Sequence, residues 1–143
     1  MFERLQKIFG GTNKPKSVNA LILIADDSEM DRRLVAKILV KNGYELLEAT
    51  NGEEVVELAK KRQPQLIILD CDMPVLSGTE ACKRLKNYLE TKNIPVIFLT
   101  SDDTPKNIID CFELDAENFL AKPINSRILL TQIRSVLSDA SSA

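Results

Sequence analysis

The chain has 143 residues, 44% of them hydrophobic and 28% charged, with only 5 Gly and 6 Pro. That composition suits one compact domain with a real core and excludes a disordered or low-complexity chain. A net charge of −2 argues against a nucleic-acid partner, no apolar run approaches the roughly 20 residues of a membrane span, and the absence of His excludes Ser-His-Asp and Cys-His catalysis, His-ligated zinc and a phosphohistidine carrier. Cys71, Cys82 and Cys111 are odd in number and form no C-x-x-C, so a disulfide framework is not expected and a reducing, cytoplasmic location fits.

Residues 1–19 stand apart from the rest. Arg4, Lys7, Lys14 and Lys16 against Glu3 give this basic extension +3 and leave −5 for the remainder. It is not a secretory signal, because charges interrupt its short apolar stretch and no small-residue cleavage site follows. Phe2, Leu5, Ile8 and Phe9 fall near one face of a short helix that Gly10-Gly11 would close. About nine residues is marginal for an isolated helix in water. Three readings stay open: a disordered tail, a segment that docks on a partner or on the domain, and a weak membrane-surface contact.

Five short apolar runs follow in the span expected to fold, residues 20–138: Leu21–Ala25, Glu45–Ala49, Leu66–Leu69, Val96–Leu99 and Phe119–Ala121. Helical patterns separate them. Met30, Leu34, Val35, Ile38 and Leu39 share one face, and Asn42-Gly43 stops that helix. Thr50 to Glu53 reads as a capping box before Val55, Val56, Leu58 and Ala59, and Ser77 to Glu80 as a better one before Ala81, Cys82 and Leu85. Ile108, Ile109 and Phe112 mark the fourth helix. Asn125 or Ser126 caps a fifth carrying Ile128, Leu129, Ile133, Val136 and Leu137, after which residues 139–143 read as a tail. Continuous rather than alternating apolar runs suit strands buried on both faces. The expected fold is α/β: a (βα)₅ doubly wound, open parallel sheet, whose ligands bind beyond the carboxyl ends of its strands.

Those ends carry unusual chemistry. The first run ends in Asp26-Asp27, the third in Asp70, the fourth in Thr100-Ser101 and the fifth in Lys122-Pro123. Parallel strands bring them to one edge. Crowded carboxylates repel unless cations join them, and one ammonium does not balance three acids. A hard divalent ion such as Mg²⁺ fits the deficit. A carboxylate flanked by Mg²⁺ and Lys can attack phosphorus and form an acyl phosphate.

Together Ile24-Ala25-Asp26-Asp27, Leu69-Asp70-Cys71-Asp72-Met73-Pro74 with Gly78, Leu99-Thr100-Ser101 and Phe119-Leu120-Ala121-Lys122-Pro123 resemble the response-regulator receiver domain of two-component signalling, over roughly Asn19 to Leu137. The resemblance implies a flavodoxin-like receiver fold and a phosphoprotein with Asp70 as phosphoacceptor. It implies Mg²⁺ bound by Asp26, Asp27, Asp70 and the backbone carbonyl of Asp72, and phosphoryl contacts from Thr100 and Lys122. The donor would be a phosphohistidine on a histidine kinase or phosphotransfer protein. Thr100 and Phe119 would form the switch, remodelling the face made by the fourth helix, fifth strand and fifth helix. Phe119 lacks a hydroxyl, so an inward ring leaves no polar group to satisfy, and a less polarised switch is expected; simple core packing is the plainer role for that ring. Asp115-Ala116-Glu117 departs from the family's frequent leading Gly, which leaves that loop open to a different shape. Asp72 and Asp102, each two residues past a site residue, are expected to tune hydrolysis of the acyl phosphate; as solvated loop acids they would not.

Self-phosphorylation and autodephosphorylation at Asp70, not turnover, are the expected chemistry. With no output domain in the given sequence, a stand-alone receiver is expected to signal by contact with an unknown protein or by homodimerisation. Two alternatives remain: a receiver fold used as a phosphorylation-independent binding module, and a haloacid-dehalogenase-type phosphatase suggested by Asp70-Cys71-Asp72. The second lacks an acidic cluster after Lys122.

Overall fold

The computed structural model describes residues 20–102 and 104–142. The expectations for residues 1–19 therefore lie outside the described residues. Strands and helices alternate: β1 (Leu21–Ala25), α1 (Glu29–Lys41), β2 (Glu45–Ala49), α2 (Gly52–Arg62), β3 (Leu66–Asp70), α3 (Gly78–Lys86), β4 (Val96–Thr100), α4 (Pro105–Glu113), β5 (Asn118–Ala121) and α5 (Ser126–Ser142). All strand pairs are parallel, in the order β2-β1-β3-β4-β5. That is the expected doubly wound, flavodoxin-like fold. Its order reverses between β1 and β3, where such sheets leave a crevice.

The apolar runs form strands because both faces are covered. On β3, Ile67 and Leu69 pack with Val55, Ala59, Cys82 and Leu85 of α2 and α3, while Leu66 and Ile68 pack with Val35 and Leu39 of α1 and Leu129 and Ile133 of α5. Each fully buried Leu or Ile contributes roughly 1.5–3 kcal/mol, and every residue of β3 and β4 is buried. Register keeps the carboxyl ends level: Ala25 pairs with Ala49 and Leu69, Asp70 with Leu99, and Thr100 with Ala121.

Helix starts are set by short polar side chains. Ser28, Ser77 and Thr104 accept from the backbone N–H three residues on, opening α1, α3 and α4. Asn125 accepts likewise from the Ile128 N–H at 3.0 Å, and so is the cap of the fifth helix. The α2 cap lies one residue past the expected Thr50: Asn51 accepts from the Glu54 N–H, and Glu54 reaches back to the Thr50 N–H at 2.8 Å. Residues 139–142, read as a tail from sequence, continue α5 instead; nothing in Ser138-Asp139-Ala140-Ser141 breaks a helix. Gly43, at φ 88°, ends α1 as expected.

The loop from β3 to α3 is tightly wedged. A Cβ on Gly78 would stand 1.9 Å from the Asp70 carbonyl oxygen, so only glycine lets α3 start against the end of β3. Val75 takes a left-handed conformation, φ 68°, and the Leu76 N–H closes on the Pro74 carbonyl at 2.7 Å, a γ-turn. Asp115 is also left-handed, at φ 65°. The loop before β5 thus holds, with an Asp, the conformation glycine takes without cost.

Candidate functional site

Asp26, Asp27 and Asp70 come together beyond β1 and β3: one carboxylate oxygen of each lies within 4.8 Å of the others. Asp26 and Asp70 are buried, and Asp27 is exposed at the mouth. Asp26 Oδ1 accepts the Ser28 N–H at 3.0 Å, which ties it to the start of α1. Lys122, delivered by β5, lies with its Nζ 2.8 Å from Asp26 Oδ2 and 3.7 Å from Asp70 Oδ2. The peptide bond from Lys122 to Pro123 is cis.

Electrostatics mark Asp70. Burial first, then the negative charge of Asp26, pushes its carboxyl up from 3.8 to about 7, against the opposing pull of Lys122. Burial alone would lower Lys122, but hydrogen bonds to Asp26 and Asp31 and the Asp70 charge outweigh it and raise it, so the ammonium persists. One ammonium still serves several carboxylates. The residues fit a hard divalent cation on a further ground: Asp26, Asp27 and Asp70 each bring a carboxylate oxygen within 4.8 Å of the others, an all-oxygen donor set of the kind such ions prefer.

The other expected residues take varied places. Asp72 is exposed, and its N–H approaches Asp70 Oδ1 at 3.4 Å. Thr100 is fully buried at the end of β4, but the loop that follows engages its hydroxyl: it donates to the Asp102 carbonyl at 3.0 Å. The Asp102 carboxylate accepts the Thr104 N–H at 3.1 Å, which makes it a turn former in this structure. Phe119 is half-buried, edge-to-face with Phe112 at 6.2 Å between centroids. With Ile108, Pro123 and Ile128 it lines a cavity of about 270 Å³ on the face formed by α4, β5 and α5.

Three residues were missed from sequence. Asp31, in the first turn of α1, holds Lys122 Nζ at 3.0 Å. Arg32 beside it donates to the Asp26 carbonyl at 2.9 Å and pairs with Glu48 at 3.0 Å. Asn107, in the first turn of α4, donates to Thr100 Oγ1 at 3.1 Å. The usable signal was positional, since helices that follow parallel strands begin at the edge where those strands end. Cys71 and Cys111 touch, with sulfurs 3.8 Å apart, and burial raises both thiols. They pack as small apolar groups rather than poised nucleophiles.

Two buried acids with a third exposed beside them, a lysine just past the last strand and a buried threonine on a doubly wound sheet define a receiver module of two-component signalling. A model of the response regulator receiver domain matches residues 22–134, and the chain belongs to that family. It is 35% identical to Protein PilH of Pseudomonas aeruginosa over 119 residues, 83% of this chain and 98% of that one. It is 38% identical to the phosphate regulon transcriptional regulatory protein PhoB of the same species, spanning 52% of that protein, and 36% identical to histidine kinase P4 of Formosa agariphila, spanning 9%. Among solved structures it resembles chemotaxis response regulator CheY4 of Vibrio cholerae, with a TM-score of 0.77, 32% identity, and 82% of this chain and 98% of that one covered. The receiver domain of a signal transduction histidine kinase from Syntrophus aciditrophicus is similar too, with a TM-score of 0.78, 32% identity, and 84% and 91% covered. Among the described residues, no helix is long and apolar enough to cross a membrane.

Proposed function

We propose that this receiver accepts a phosphoryl group on Asp70 with Mg²⁺, from a phosphohistidine on a histidine kinase or phosphotransfer protein in the cytoplasm. The observation that carries the reading is the meeting of Asp26, Asp27 and Asp70 oxygens within 4.8 Å, with the Lys122 ammonium against two of them. Asp26, Asp27, Asp70 and the Asp72 carbonyl hold the ion, which supplies positive charge for the phosphoryl oxygens. An ionised Asp70 oxygen forms the new bond to phosphorus while the donor's bond breaks and its electron pair leaves with the donor, giving an acyl phosphate. Lys122 neutralises one phosphoryl oxygen and the Thr100 hydroxyl donates to another. Asp72 and Asp102, each two residues past a site residue, set how long the acyl phosphate lasts. Output is a protein contact, with a target or a second copy, on the α4, β5 and α5 face, where Ile109, Phe112 and Ile128 are exposed.

The test is intact mass after incubation of the whole chain with Mg²⁺ and a small acyl-phosphate donor. One phosphoryl group adds to the wild type and none to Asp70→Ala. An unchanged wild-type mass overturns the reading in favour of a phosphorylation-independent module. Steady turnover of a phosphomonoester overturns it in favour of a phosphatase.

A further inference from the structure

The Thr100 hydroxyl has one proton to give, and in this structure that proton is committed. Thr100 Oγ1 donates to the Asp102 carbonyl at 3.0 Å and accepts from the Asp102 N–H at 2.9 Å. The Asn107 amide supplies the remaining contacts, donating to Thr100 Oγ1 at 3.1 Å and to the Asp102 carbonyl at 2.6 Å. Two donors thus converge on one carbonyl. If the hydroxyl turned its proton toward Asp70, the carbonyl would still be served by Asn107, and the hydroxyl oxygen would still be held by two N–H groups that aim the freed proton.

Asn107 also belongs to α4. It is the third residue of that helix, and its backbone N–H is capped by Thr104 Oγ1 at 3.4 Å. This helix buries only Cys111, whereas α2 and α3 bury four residues each. A pull on its first turn therefore meets little resistance from the core. We propose that Asn107 is a positioning residue that ties the Thr100 hydroxyl to the first turn of α4: its amide keeps the Asp102 carbonyl paired as the hydroxyl proton turns toward a phosphoryl group, so the reorientation moves the helix. The inference rests on the reading of Asp70 as phosphoacceptor. It runs through the helix start, separately from the Phe119 ring.

The test compares wild type, Asn107→Asp and Asn107→Ala. An acid in a first helical turn suits the positive end of α4, so Asn107→Asp keeps the helix and the side-chain size while losing both N–H donors. Each protein is treated with Mg²⁺ and a small acyl-phosphate donor. Phosphoryl occupancy is read by intact mass and amide exchange over residues 105–113 on the same samples. In wild type, exchange in that segment changes about fivefold or more on phosphorylation; at matched occupancy both variants change less than about twofold. A wild-type-sized response in Asn107→Asp overturns the donor role, whatever Asn107→Ala does. A phosphorylated wild type with unchanged exchange overturns the coupling alone, while a wild type that takes no phosphoryl group overturns the reading of Asp70 and this inference with it.

Discussion

The two halves of the sheet are built to different standards. Around β3 and β4 every strand residue is buried, and α2 and α3 each seat four residues in the core. At the other edge β5 has no fully buried residue, and α4 anchors itself by Cys111 while leaving Ile109 and Phe112 half in water. The acids sit on the first half, where Asp70 cannot shift without dragging Gly78 and α3 along. Thr100 closes the same half at the end of β4, and Lys122 reaches toward the acids from the second. Fixed chemistry beside an adjustable face is what a module needs if a small covalent event is to be read at a distance.

The largest test of that contrast replaces one aromatic in each half. Phe98, fully buried on β4, and Phe112, 49% exposed on α4, are the same residue in opposite settings. Phe98→Ala should cost about 3–5 kcal/mol, the transfer and cavity terms together, and Phe112→Ala about 1 kcal/mol or less. Denaturant midpoints at constant slope measure both. Equal losses would erase the distinction between the halves.

A smaller effect is electrostatic and carries a sign. The Asp70 carboxyl sits at about 7 in the fold against an ordinary 3.8, because burial and Asp26 disfavour its ionised form. Near pH 3 and below the fold and the unfolded chain both keep that proton and nothing is lost. As pH rises toward 7 the unfolded chain gives the proton up and the fold does not, so stability falls across that window and then levels off. In a chelator, Asp70→Asn should therefore be more stable than wild type by on the order of 2 kcal/mol near pH 8, with little difference near pH 3. Adding Mg²⁺ should narrow the gap, since a cation offsets the same repulsion. Melting curves across that range decide it; a gap that grows toward acid would mean the acids do not crowd one another.

The contrast between the halves was only partly legible in the sequence. Unbroken apolar runs such as Leu66-Ile67-Ile68-Leu69 announce strands covered on both faces, and parallel order carries Asp26, Asp70, Thr100 and Lys122 to one edge without further information. The partners of those residues were not visible. Asp31 and Asn107 sit in first helical turns, where a polar residue ordinarily reads as solvated, and only the crossover geometry reveals that each faces a strand end. The α2 cap fell one residue late because Thr50 and Asn51 both suit a cap and only the path of the loop chooses between them. The Val75 conformation left no trace at all, since a β-branched residue is the last choice for a positive φ.

Val75 gives the finest probe of the comparison. Its φ of 68° costs on the order of 1 kcal/mol or more, and the cost is tolerated because neighbours hold the loop: the Gly52 N–H donates to the Leu76 carbonyl at 2.9 Å, and Gly78 bonds the Cys71 carbonyl at 2.9 Å. The side chain is 78% exposed, so removing it forfeits little burial. Val75→Asn, which accepts the left-handed conformation without the added freedom glycine gives the unfolded chain, should gain about 1 kcal/mol. The matching change in the looser half, Asp115→Gly at φ 65°, should gain nothing, because Asp already tolerates that conformation and glycine adds entropy to the unfolded state. Denaturant midpoints separate the two. A gain at Val75 with none at Asp115 locates backbone strain beside the acids, in the half rigid enough to hold it; a loss at Val75 would mean that loop is relaxed and that Gly52 and Gly78 constrain nothing.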